Sequence, residues 1–258
     1  MSHPHLLETP LLDFSEPDIQ RLIAERGWAK LRQKERIGAV YDFVRNDVLF
    51  GYNEDDALPA SRVLADGYGQ CNTKGTLLMA LLRSLGVPCR FHGFTIDKGL
   101  QRGVVPELVY PLAPRNILHS WVEVSFEDRW INLEGFILDD GVLTALRERF
   151  PDRDSLCAYG AGTDCLQAPG VEWTGEDTYI QKTGITHDFG TYDAPDDFYA
   201  EHRQLSGLRG FLYRRIVRHW MNRRVAAIRR GNVPTIPGGD ANLAPAAPQA
   251  GGTLREAL

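Results

Sequence analysis

The chain has 258 residues, enough for one large domain or two small ones, and its 43% hydrophobic and 24% charged content suits a folded protein with a core that needs no disulfide or metal. No apolar run reaches the length of about 18 residues that a membrane-spanning helix requires. A net charge of −5 argues against the whole molecule being a nucleic-acid binder, and the four cysteines, Cys71, Cys89, Cys157 and Cys165, form no CxxC pair and no cysteine/histidine grid, which argues against a disulfide framework or a zinc site.

In chain order, Pro17 falls in the first turn of a helix that runs to about Glu25 and is broken by Gly27. A second helix is expected over residues 29–48, where Leu31, Ile37, Val40, Phe43, Val44 and Val48 recur at helical spacing. A short helix over 61–65 follows. The glycine turn Gly67-Tyr68-Gly69-Gln70 then leads into a helix opened by Cys71, with a core stripe of Leu77, Leu78, Leu81, Leu82 and Leu85. Gly86 and Pro88 supply its stop. Strands are expected over 89–96, 119–126 and 130–133, the last two joined by a tight turn, and a helix over 142–150 follows the cap at Asp139-Asp140. Residues 151–192 are rich in glycine and read as irregular. From Pro195 a helical region reaches Arg230. Helices followed by antiparallel strands give the α+β class.

Charge is unevenly spread. Nine arginines and no acid lie between Arg203 and Arg230, so this stretch carries +9 and the rest of the chain −14. Leu205, Leu208, Leu212, Ile216 and Trp220 recur there every three or four residues, a stripe expected to be buried on the acidic body. Such a basic helix is also a possible partner surface, for an anionic membrane or nucleic acid, although neither signal is strong. Residues 231–258 are mostly proline, glycine and alanine and read as a disordered tail. The N-terminus has neither the basic nor the apolar region of a secretory signal, and with this cysteine usage a cytoplasmic setting is expected.

Metalloprotease, serine-hydrolase and phosphate-loop motifs are absent, which leaves thiols and histidines as candidate chemistry. Cys71 follows a glycine turn and opens an amphipathic helix, where unpaired N–H groups and the helix dipole favour thiolate. An ordinary core cysteine would fit the same position. Cys89 lies in an apolar strand, and Cys157 and Cys165 lie in the irregular stretch. His119 opens one strand of the expected hairpin and Glu134 closes the next. A two-residue turn puts the two side chains on one face, directly opposed or one pair off on the diagonal; a three-residue turn would put them on opposite faces. A carboxylate beside an imidazole fixes its tautomer and stabilises the imidazolium. His92 and His187-Asp188 are the alternative bases.

The run Gly69-Gln70-Cys71-Asn72-Thr73-Lys74-Gly75, continuing to Gly86-Val87-Pro88, resembles the cysteine motif of the transglutaminase-like superfamily. His119-Ser120-Trp121-Val122-Glu123-Val124 and Arg129-Trp130-Ile131-Asn132-Leu133-Glu134 resemble its histidine and acid motifs. The resemblance covers about residues 35–140. It implies a papain-like fold over residues 16–194, after an N-terminal extension (1–15) and before the basic helical region (195–230). It also implies a triad of Cys71, His119 and Glu134, with Glu134 standing where the family usually has Asp. The implied activity is acyl transfer through a thioester on a peptide, protein or small amide or acyl substrate, with no metal or other cofactor. The backbone N–H of Cys71, with Gln70 or Tyr68, would serve the oxyanion, and Trp121 and Asn132 are candidate substrate contacts. The alternative is a non-catalytic binding module on the same fold. Oligomeric state is not legible.

Overall fold

The structure, a computed structural model, describes residues 3–204 and 207–238. Pro17–Arg26 (α1) starts at its proline and ends at Gly27, whose φ of +67° lies in the left-handed region. The single helix expected over 29–48 is instead Gln33–Asp42 (α2), which continues as a wider-wound turn over Phe43–Asp47. Arg36 explains the late start. Its guanidinium donates to the carbonyls of Trp28, Ala29 and Leu31, so that segment, which forms a single 3-10 turn over Trp28–Lys30, meets its hydrogen-bonding needs without being α-helical. Leu49–Phe50 (β1) pairs in parallel with Tyr68–Gly69 (β2), and Ala60–Asp66 (α3) lies between them in the chain.

Cys71–Ser84 (α4) is the centre of the molecule. Nearly every residue from Cys71 to Arg83 is buried, so the helix is wrapped on all sides rather than amphipathic. Even Lys74 is fully buried, with Nζ donating to the carbonyls of Arg45 at 3.1 Å and Ile137 at 3.0 Å. Against α4 lies an antiparallel sheet of Cys89–Asp97 (β3), Asn116–Phe126 (β4) and Arg129–Leu133 (β5) with a fourth, late strand. The β4–β5 turn has two residues, Glu127 (φ 49°) and Asp128 (φ 59°), both left-handed, as a tight hairpin of this twist demands. Asp140–Arg149 (α5) follows, with Asp139 accepting from the N–H of Val142 at 3.1 Å. The α+β class read from the sequence is that of the structure.

Residues 151–192 are not irregular throughout. Leu156–Ala158 (β6) and Ala161–Thr163 (β7) form a small hairpin, and Ile185–Tyr192 (β8) is an edge strand on β3, giving the order β5-β4-β3-β8. The side chains of β8 are mostly exposed, so main-chain pairing holds the strand and its sequence shows no apolar alternation. Pro195–Glu201 (α6) precedes the basic region, where Gly207–Leu212 (α7) runs through a wider-wound turn, Tyr213–Val217, into Arg218–Arg229 (α8).

The stripe expected to be buried there is exposed at Leu208, Leu212, Ile216 and Trp220; Leu205 lies outside the described residues. A second stripe, Tyr213, Val217, Met221, Val225 and Ile228, faces the core instead. The tail expected from residue 231 is ordered at its start. Tyr159 donates its hydroxyl to the Pro234 carbonyl and Ile236 is buried, because these few apolar side chains find the core edge. Residues 239–258 of that tail lie outside the described residues. No helix among the described residues is long and apolar enough to cross a membrane.

Candidate active site

Cys71 is the first residue of α4, so its thiol sits where the helix leaves N–H groups unpaired. The turn before it is fixed from two sides. The Gln70 N–H donates to Thr73 Oγ1 at 3.1 Å, and Thr73 donates to Asn53 Oδ1 at 2.6 Å. Gly69 is needed here, because a Cβ would lie 2.6 Å from Thr73 Oγ1 and 2.9 Å from Lys74 Cγ.

His119 and Glu134 are both fully buried and lie 2.9 Å apart, Nε2 to Oε1. Val122 pairs with Leu133 across the hairpin, so Glu134, one residue further, falls on the diagonal from His119 and on the same face. The other carboxylate oxygen, Oε2, accepts from the N–H groups of Ile180 and Gln181, each at 2.9 Å. Nδ1 of His119 is buried without a hydrogen bond of normal geometry and is the ring nitrogen left for Cys71. Burial alone would lower the histidine pKa, but the charge of Cys71 and then the bond to Glu134 outweigh it and raise the pKa to about 9. The three residues singled out in the sequence are thus together in space.

The other sequence candidates divide. Gln70 lines the cavity at Cys71, but its side chain is engaged: Oε1 accepts from Asn53 N–H and Nε2 donates to Asp56. Tyr68 does not line that cavity; its hydroxyl meets Arg218. Trp121 is buried against Phe94 and Tyr179, and Asn132 bonds Asp177 and Tyr179. Alternation puts both on the same sheet face as His119 and Glu134, but neither lines the cavity, because Phe94, Asp177 and Tyr179 engage them there. His92 is held between Glu123 and Asp188 at 2.7 Å each, and His187 is on β8, not in a loop.

Two residues were not legible as site residues. Asn72 donates to the Leu118 carbonyl and accepts from Ser120 Oγ, tying the start of α4 to both neighbours of His119. Asp56 borders the same cavity, and burial raises its pKa despite hydrogen bonds from Asn72 and Gln70. It comes from a loop where a pair of acids reads as ordinary solvated charge.

Cys71 opens onto a cavity of about 960 Å³. Its walls come from residues 50–58, the start of α4, the segment 96–118 and the basic helical region. The lining is mainly aliphatic, from Ile96, Leu100, Val105 and Val109 among others.

Residues 23–135 match the family model of the transglutaminase-like superfamily. This segment is similar to a transglutaminase-like core. It contains Cys71, His119 and Glu134 and stops before the residues at 180–181 that hold the Glu134 carboxylate. The match points to a cysteine-based enzyme. A solved structure from Cytophaga hutchinsonii, described as that of a candidate cysteine protease, aligns over 75% of this chain at 14% identity with a TM-score of 0.44. The aligned part is 47% of that protein, so this chain spans about half its length. No curated protein matches the sequence.

Proposed function

We propose that the protein is a cysteine-dependent acyl-transfer enzyme in which Cys71 is the nucleophile, His119 the acid and base, and Glu134 the group that orients His119. The Cys71 thiolate attacks an acyl carbonyl and forms a C–S bond. The bond to the leaving group breaks, and the leaving amine, alcohol or thiol takes the proton held on His119 Nδ1. The backbone N–H of Cys71 at the start of α4 is the donor for the oxyanion. His119, now neutral, accepts a proton from water or an amine as that acceptor attacks the thioester, and Cys71 is released. Water gives an amidase or peptidase, an amine gives a transferase.

The observation that carries this reading is the Glu134–His119 pair. A fully buried carboxylate held by two backbone N–H groups, aimed at one nitrogen of a buried imidazole whose other nitrogen faces a helix-start thiol, is costly as mere packing and apt for thiol activation. The test is intact-protein and peptide mass spectrometry after incubation with p-nitrophenyl acetate. An acetyl adduct is expected on Cys71 of the wild type, absent in Cys71→Ala and slowed in His119→Ala. No adduct, or an adduct formed first on another cysteine, overturns the reading.

A further inference from the structure

Five of the eleven large apolar side chains exposed among the described residues lie together. Leu108 and Leu112, 83% and 74% exposed, come from the segment before β4, and Leu212, Ile216 and Trp220 come from the basic helical region. These two segments are about a hundred residues apart in the chain, and all five side chains line the same cavity as Cys71. A water-facing apolar rim continuous with an apolar cavity is a binding surface by its physical cost.

The same wall carries charge. Arg203, Arg209 and Arg214 line the cavity, and among the described residues none of their side chains has an ion-pair or hydrogen-bond partner. The acids that line it are engaged. Glu54 lies 3.8 Å from Arg62, Asp55 accepts from the N–H of Ala57, and Asp56 accepts from Gln70. Glu54 is offset by Arg62, whereas the neutral donors to Asp55 and Asp56 cancel no charge. Three arginines without ion-pair partners among the described residues therefore face two such carboxylates, and the balance of the wall is positive. A peptide would bring backbone amides that such aliphatic walls leave without partners. A hydrocarbon chain brings none.

We infer that the ligand of this cavity is an anionic amphiphile: a long-chain acyl compound whose chain lies along the apolar walls and whose negative group is held by Arg203, Arg209 and Arg214. This rests on the acyl-transfer reading of Cys71 only for the chemical step, since binding of the chain does not need the thiol. In that step Cys71 Sγ bonds the acyl carbon, the bond from that carbon to the leaving group breaks, and the leaving group departs with the proton from His119.

The experiment has a chemical arm and a binding arm, both on the full chain. In the first, p-nitrophenyl acetate, octanoate and myristate are compared by the rate of adduct formation on Cys71. The myristoyl ester is expected to react at least about tenfold faster than the acetyl ester, because each buried methylene adds driving force. In the second, binding of cis-parinaric acid is followed by fluorescence, with myristate and uncharged methyl myristate as competitors. Leu212→Asp and Ile216→Asp, both at exposed positions, are expected to weaken both competitors at least about tenfold. The Arg203→Ala/Arg209→Ala/Arg214→Ala variant is expected to weaken myristate and spare the methyl ester.

Adducts that form equally fast at all chain lengths overturn the inference and leave the acyl-transfer reading standing. Binding of parinaric acid with no adduct from any ester overturns that reading and leaves the ligand class standing. No binding of parinaric acid to the full chain, as when the chain itself or a second copy covers the rim, overturns the inference. So does binding only to phosphatidylglycerol vesicles and not to the monomeric acid.

Discussion

Asn72 and Ser120 are hydrogen-bonded at 2.9 Å, and each is the chain neighbour of a member of the proposed triad: Asn72 of Cys71, Ser120 of His119. Both are buried, and Asn72 also donates to the carbonyl of Leu118 on the other side of His119. This clamp joins the start of α4 to β4 where thiol and imidazole must meet. Ser120→Ala leaves Asn72 Oδ1 without its partner, a loss expected to cost about 1–3 kcal/mol in urea unfolding. It is also expected to slow acetylation of Cys71 beyond what that stability loss explains, with the pH profile of the rate displaced. An unchanged profile would mark the pair as packing alone.

The two-residue turn at Glu127-Asp128 sets which residue shares a face with His119. Both turn residues adopt positive φ with side chains that disfavour it, so Asp128→Gly is expected to stabilise the protein by about 1 kcal/mol. That corresponds to a rise in Tm of about 2–4 °C. Inserting a glycine between the two displaces Glu134 relative to His119. Acetylation of Cys71 should then fall by at least about a hundredfold. Retained activity in the insertion variant would show that Glu134 does not orient His119.

What could be read from the sequence follows how local its causes are. The helix opened by Cys71 and the facing of His119 and Glu134 come from periodicity and turn length, both written in short stretches of chain. The partners of the Glu134 carboxylate, Ile180 and Gln181, are backbone groups in a segment with no pattern, and any residue types there would supply the same N–H donors. The basic region carries two apolar stripes, one residue out of step and each recurring every three or four residues, and nothing local says which one meets the core. The strand Ile185–Tyr192 pairs through its main chain at a sheet edge, so its side chains keep no record of burial.

That choice of face gives a direct check. Ile228 is fully buried, whereas Leu208 is largely exposed. Ile228→Ala is expected to cost about 2–5 kcal/mol, and Leu208→Ser to change stability by no more than about 0.5 kcal/mol. Thermal and urea unfolding of the two variants decide it. Equal losses would mean that the stripe including Leu208 is buried in solution.

Two buried bases give stability opposite dependences on pH. Burial lowers the His119 pKa, but Cys71 and Glu134 together raise it from 6.5 to about 9. The folded protein therefore keeps a proton that the unfolded chain releases. The stabilisation is full below pH 6.5 and is lost as pH rises through about 9. Lys74 is the reverse. Burial lowers its pKa from 10.5 to about 7, so between those values the unfolded chain binds a proton that the folded one does not, and stability rises with pH. In urea unfolding across this range, Lys74→Met should remove the rising component and His119→Gln the falling one. A Lys74→Met variant with the wild-type pH dependence would mean that the folded protein holds Lys74 charged.

Thiol alkylation separates the four cysteines by chemistry and access. Cys89 and Cys157 are buried, and burial pushes both thiols up to about 11, so neither should react with iodoacetamide at neutral pH. Cys165 is exposed and sets the reference rate for an accessible thiol. Cys71 is only 8% exposed, yet it opens onto the cavity and faces the imidazole of His119. Access alone would make Cys165 react faster at every pH. Ion pairing with a protonated His119 predicts the opposite order at about pH 6, where an ordinary thiol is almost entirely protonated. Peptide mass spectrometry over a time course should therefore find Cys71 carbamidomethylated first at that pH. His119→Ala should remove the advantage, and Glu134→Gln should reduce it by less, since Glu134 acts on the thiol only through the ring it orients. If Cys165 leads at about pH 6, or if His119→Ala leaves the rate at Cys71 unchanged, the thiol is not paired with the imidazolium.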